Sequence, residues 1–148
     1  MIFMFSLSCG MKGQSTNNIS IGALYSELSG LNTELSYSKL IAGRIGLTAR
    51  AAYNYHESYS LRGGIFYRLL KHQNFGLDFG LEYSYDRHKF NDFADEVTSH
   101  NLNLPLTLGY KFSESFGLYG GLSGNINFNN SESNRVIDIL RLGIQYNW

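Results

Sequence analysis

NLNLPLTLGYKF, residues 101–112, carries Leu, Tyr or Phe at every even position from Leu102 to Phe112, with Asn, Asn, Pro, Thr, Gly and Lys at the odd ones. A period of two sustained over this length describes a β-strand with one apolar and one polar face, because successive side chains leave a pleated strand on opposite sides. In a soluble sandwich the apolar face looks inward at a core. In a membrane barrel it looks outward at lipid, and the polar face fills the interior. The direction of this strand therefore separates two fold classes.

Composition narrows the choice. A chain of 148 residues suits one domain. Its 11 Tyr, 10 Phe and 16 Gly against a single Pro favour long strands and tight turns over helices. The formal net charge of zero gives no reason to expect a nucleic-acid partner or an acidic substrate. Cys9 stands alone and can form no internal disulfide. No Cys/His cluster has metal-ligand spacing, and no metal or cofactor is expected. The absence of an 18-residue apolar run excludes a transmembrane helix and leaves a transmembrane barrel open.

Outward from residues 101–112, turn chemistry cuts the chain into eight alternating segments, at about 18–28, 31–40, 45–57, 59–70, 75–88, 99–113, 116–128 and 136–148. Every second connection is short, and the two longest, 90–98 and 129–135, fall on one side. Short periplasmic turns opposite longer surface loops are the outer-membrane pattern, and strands of this length can cross a bilayer at a tilt. The apolar faces are also sorted by height. Leu and Ile occupy the middle. Tyr25, Tyr53, Tyr55, Tyr83, Tyr85 and Phe128 lie toward the long loops, and Tyr37, Tyr67, Phe75, Tyr110, Phe112, Phe116 and Trp148 toward the short turns. Two aromatic belts are what anchoring at two membrane interfaces produces, whereas a sandwich core has no reason to sort side chains this way. The expected fold is all-β, an eight-stranded antiparallel up-and-down transmembrane barrel, with Leu102 to Phe112 facing lipid.

Residues 1–14 read differently. The apolar run of residues 1–9, followed by small and polar residues and a Gly13-Gln14 step, is like the core and cleavage zone of a secretory signal without its basic start. A first strand or a plug segment is the alternative. Ser6 stands where a lipobox would place Leu, which argues against an acyl anchor on Cys9. The barrel is assigned to residues 15–148.

Eight alternating strands, asymmetric turns, paired girdles and the terminal segment RLGIQYNW ending on Trp148 resemble the small outer-membrane β-barrels of the OmpX-like and OmpA-transmembrane-domain group, the outer membrane protein beta-barrel domains. The resemblance implies residence in the outer membrane among its lipid and lipopolysaccharide, and a monomeric barrel. It also implies that Trp148 forms part of a signal read by the barrel-assembly machinery. Pro105 departs from an ideal strand, since it lacks a ladder donor and should mark a bulge or weakened pairing.

A barrel of eight strands is only wide enough for side chains to fill. The inward parity collects Glu34, Arg50, Arg62, Arg68, Asp78, Glu82, Asp86, Lys111 and Arg141, of both signs. Counting across turns sets Arg68 level with Asp78, Arg62 near Glu82 and Arg50 diagonal to Glu34. Such a set is expected to be an ion-pair network that closes the lumen, with a gated polar conduit as the alternative. Two segments merit comparison with Ser–His catalysis. His56-Glu57-Ser58 has the His-x-Ser order of lipid A deacylases without their longer Asn-containing context, and Ser99-His100 has Glu96 nearby. Neither is assigned as catalytic. The loop residues Phe90, Asp92, Phe93, Asp95 and Glu96 mix aromatics with carboxylates and form the best surface-binding candidate.

The expected function is that of a non-enzymatic structural or surface-interaction barrel. A lipid A-modifying hydrolase and a soluble lipocalin-like ligand-binding barrel, whose apolar face would point inward, are the alternatives. Intact-mass measurement of membrane-extracted protein should show a mature chain lacking residues up to about Gly13.

Overall fold

The computed structural model describes residues 17–26, 30–54, 58–88, 97–128 and 135–148. Eight strands, β1 (Asn17–Ser26), β2 (Gly30–Ala42), β3 (Ile45–Tyr53), β4 (Tyr59–His72), β5 (Phe75–His88), β6 (Val97–Lys111), β7 (Phe116–Asn127) and β8 (Arg135–Asn147), pair antiparallel in chain order. β1 returns to β8 and closes the sheet into a barrel. Closure leaves no strand edge, so every strand has a paired neighbour on both sides.

The alternation sorts the two faces as an inverted protein. Leu142 is 67% exposed on the outside while its neighbour Arg141 is 4% exposed on the inside. Among the described residues the buried apolar side chains are Leu24, Ala52, Phe66, Tyr119 and Pro105, against twenty polar or charged ones. The opening segment faces outward, with Leu104, Leu108, Tyr110 and Phe112 exposed and Asn101, Asn103 and Pro105 buried within. A lipocalin-like arrangement, with the apolar face inward, is overturned by these two faces.

Local chemistry explains where the strands end. The β2–β3 turn passes through Gly43 at φ 54, a left-handed conformation that costs glycine little. β6 stops at Lys111 rather than at 113, because Phe112 N–H and Ser113 N–H both turn to the Phe116 carbonyl and Ser113 Oγ accepts from Phe116 N–H. β3 ends at Tyr53, earlier than the alternation through 57 predicts. Asn54 exchanges hydrogen bonds with Ser58 through its backbone N–H and its side-chain oxygen, which closes the chain there. β4 runs on to His72 through a register shift between Arg68 and Leu70 that leaves Leu69 and Leu70 both exposed on the outside.

Pro105 produces a gap rather than a bulge. Pairing of β5 with β6 joins Phe79 to Leu106 and Glu82 to Asn103, skipping Gly80 and Leu81 without changing register. Pairing with β7 continues through Pro105–Ser123, so the missing proline donor is felt on the β5 side only. A Cβ on Gly80 would come within 2.9 Å of Pro105 Cγ. The proline ring fills the space beside the glycine.

The belts are present with one exception. Tyr25, Tyr53, Tyr83 and Phe128 are exposed toward the long-loop end, and Tyr37, Tyr67, Phe75, Tyr110, Phe112, Phe116 and Trp148 toward the short turns. Phe75 packs on Tyr110, and Trp148 lies between Tyr37 and Tyr146. Phe79 is exposed nearer mid-height, opposite Leu106. Tyr55 lies outside the described residues.

Arginine placed singly at positions 102, 104, 106, 108 and 110 should report this geometry in reversible unfolding measured in lipid vesicles. The cost should peak near Leu106 at roughly 2–4 kcal/mol and fall toward both ends, where the side chain reaches water. A flat profile, or a maximum at Tyr110, would contradict an outward face spanning hydrocarbon.

Candidate functional site: a charged lumen

The lumen is filled in its middle by four side chains from four strands. Arg50 on β3 donates through Nε to Glu82 Oε1 at 2.8 Å and through Nη1 to Glu34 Oε1 at 3.4 Å. Arg141 on β8 answers from the other wall, with Nη2 3.3 Å from Glu82 Oε2 and Nε 3.5 Å from Glu34 Oε2. Each oxygen of both carboxylates thus faces one guanidinium, and the four groups alternate in sign around a closed ring. Glu34 and Glu82 are 0% and 1% exposed. Charges so far from water are tolerable only as neutral, hydrogen-bonded sets, and this ring has no net charge.

Toward the long-loop end the packing is polar and dense. Asp86 Oδ2 accepts from Ser84 Oγ at 2.7 Å and from Asn101 Nδ2 at 2.6 Å. Asn103 Nδ2 donates to Ser84 Oγ, and Arg62 Nε to Ser60 Oγ. Arg62 lies 3.9 Å from Asp86. Position counting places Arg62 near Glu82, but the register sets Arg62 opposite Ser84 and Glu82 opposite Gly64. With Glu82 occupied by two arginines, the partner of Arg62 is the next carboxylate outward.

Apolar pieces finish the plug. Leu24, opposite Arg141, is buried against Ala52. Phe66 lies over Gly46, its register partner, and Tyr119 over Gly143, where a Cβ would stand 2.6 Å from the tyrosine ring. These inward side chains are legible from parity. Their role as covers for facing glycines depends on register, which the sequence alone does not supply.

At the short-turn end the lumen opens into a cup of about 1000 Å³. Arg68 forms a two-pronged pair with Asp78 across β4 and β5, at 2.8 and 3.0 Å. Lys111 lines the same cup on β6. Trp148 closes the seam, exchanging backbone hydrogen bonds with Asn17, and its side chain is exposed in the lower belt.

A family model for the outer membrane protein beta-barrel domain matches residues 11–142. The chain belongs to this family. It is accordingly an outer-membrane protein. No curated protein matches the sequence. Solved structures share the fold at low identity. The N-terminal β-barrel domain of Pseudomonas aeruginosa OprF has a TM-score of 0.74 at 13% identity, covering 93% of this chain and 100% of that one. Neisserial surface protein A gives 0.60 at 14%, covering 89% and 94%. Yersinia pestis Ail, solved in a phospholipid bilayer nanodisc, gives 0.59 at 13%, covering 91% and 100%.

Within this family member one of the two Ser–His candidates, Ser99 with His100, comes apart. Ser99 points into the lumen and bonds Asn101, whereas His100 points outward and bonds the Tyr83 hydroxyl. Adjacent strand residues cannot share a reaction centre on one face. Ser58 is buried with its N–H on Asn54, while His56, Glu57 and Glu96 lie outside the described residues. So do the loop residues Phe90, Asp92, Phe93, Asp95 and Glu96, and the leader-like residues 1–14. No group of three or more metal-ligating side chains occurs among the described residues.

Breaking the ring from one side should be far more damaging than breaking the pair in the cup. Glu82→Ala leaves two buried guanidiniums short of a partner and should cost about 3–5 kcal/mol in vesicle unfolding. Arg68→Ala, in a pair open to the cup, should cost about 1 kcal/mol or less.

Proposed function

We propose that this barrel is a closed, non-enzymatic, monomeric component of the outer membrane with a structural or surface-interaction role. The observation that carries this reading is the neutral ring of Arg50, Glu34, Arg141 and Glu82, which occupies the lumen at mid-height beneath a second polar layer. A conduit would need these four charges to part, and each has its strongest partners within the ring. Non-enzymatic character is supported by the opposed directions of Ser99 and His100.

The outer rim supports contact with lipopolysaccharide. His100 lies between Tyr83 and Tyr85 on the outward face, and the Arg87 guanidinium stands 5.7 Å from the Tyr59 ring centre. A cation held on an aromatic belt at the surface end is suited to a phosphate at the interface. At the other end, the exposed Trp148 ring is placed for reading by the barrel-assembly machinery while its backbone closes the seam.

Purified protein in planar bilayers should conduct little at neutral pH. Large, steady single-channel steps would overturn the closed lumen. Lipid A incubated with the protein should keep its mass; loss of an acyl chain or phosphate would instead establish a hydrolase.

A further inference from the structure

We infer that the lipid-facing side of the β2–β3 hairpin is a binding site for an anionic glycerophospholipid, whose phosphate is met by Lys39 and Arg44. The site lies outside the lumen, at the end opposite the lipopolysaccharide contact proposed above, and stands apart from both readings.

Lys39 is the exception in an uncharged wall. Among the described outward-facing strand residues of the short-turn half, the basic side chains are Lys39 and His72, and none is a carboxylate. A cation on a lipid-facing strand belongs where its head can leave the hydrocarbon. Lys39 meets that condition, because it lies one outward position beyond Tyr37 of the lower belt, on the side of the short turn. Register sets it opposite Leu47 on β3 and Asn17 on β1. Arg44 is exposed on the turn itself, three residues from Leu47, about 10 Å at the rise of a strand. Two side chains of this length can converge on one phosphate. The turn is held against β4 by Arg68 N–H, which donates to the Arg44 carbonyl at 2.8 Å. Tyr67, opposite Ile45, and the Tyr37–Trp148 pair put aromatic rings beside the cations at the interface.

The surrounding charges leave this pair unneutralised. Neither Lys39 nor Arg44 has an ion-pair partner among the described residues. Inside the wall, Arg50, Glu34, Arg141 and Glu82 balance one another, and Asp78 is held by both prongs of Arg68. Lys71 and Lys111 add positive charge on the cup side, and Lys111 is already engaged. The other described carboxylates of this end stand away from the hairpin. Glu114 is on the β6–β7 turn across the ring of strands, and the Trp148 end of the chain lies beyond β1. Two cations at headgroup depth without an anion of their own attract anionic lipid, and a phosphodiester offers them one charge on accessible oxygens. Outer-membrane barrels place their short turns in the periplasm, so the leaflet at this end is the one built of glycerophospholipid rather than lipopolysaccharide.

The chain's single tryptophan supplies the readout, since the Trp148 ring centre lies 6.3 Å from that of Tyr37, next to Lys39 on the same face. The full chain is refolded into vesicles of phosphatidylglycerol and phosphatidylcholine in equal parts, with bromine on the acyl chains of one lipid or the other. Bromine quenches tryptophan at short range, so the two quenching curves give the relative occupancy of the lipids around Trp148. Phosphatidylglycerol should be favoured by about fivefold or more at low salt, and the preference should shrink as salt is added. K39Q/R44Q should abolish the preference, with K39Q and R44Q singly each lowering it. K71Q, on the cup side, should retain it. An unchanged Trp148 emission and unfolding midpoint in pure phosphatidylcholine would show that the variants fold. Equal quenching by the two lipids in the parent protein, a preference that survives K39Q/R44Q, or one lost equally in K71Q would overturn the site. Lipid A that displaces brominated phosphatidylglycerol as well as the unbrominated lipid does, at matched phosphate, would overturn the choice of glycerophospholipid.

Discussion

The seam between β1 and β8 is the constraint on which everything else rests. In hydrocarbon an unpaired strand edge leaves a row of backbone groups with no water to meet them, so an eight-stranded sheet must close or not exist. Closure here runs from Asn18–Asn147 to Ser26–Ile139 in unbroken register. Gly22 and Gly143 face each other across it, and both meet the Tyr119 side chain on the inside. The absence of a side chain at both glycines is what leaves room for the Tyr119 ring over the join.

Closure with only eight strands then sets the interior. The lumen is too narrow for bulk water and too polar for a dry apolar core. The chain resolves this by height. At the middle it places a charge-neutral ring, toward the long loops a network of Ser, Asn and Asp, and toward the short turns an open cup where water can solvate the side chains. Ion pairs consequently differ in kind along one axis. The pair of Arg68 and Asp78 is partly solvated, while Arg141 and its two carboxylates are enclosed.

Much of this was legible in the sequence because period two is a local property. Facing direction, strand number and the two belts follow from alternation and turn spacing, and Arg68–Asp78 and Arg50–Glu34 follow from counting across one hairpin. What counting cannot reach are contacts between strands that are not neighbours. Arg141 meets Glu34 across β1, and Arg50 meets Glu82 across β4, through curvature that no hairpin encodes. The partner of Arg62 is set by competition within that ring, and the covering of Gly46 by Phe66 by exact register. β3 stops short of its alternation because a side-chain bond at Asn54 outcompetes strand continuation.

The hydrogen bonds between Asn17 and Trp148 mean that the described sheet has no topological beginning. Each strand has two neighbours, and the join between first and last is built from the same pairings as every hairpin. The connectivity is a circle cut at one of four equivalent positions at the short-turn end. Opening the chain instead at Gly43, Gln73 or Ser113, and tying the present ends together, would preserve every ladder in the wall. Such rearranged chains separate two things a linear gene confounds: the order in which strands arrive at the membrane and the order in which they stand around the barrel.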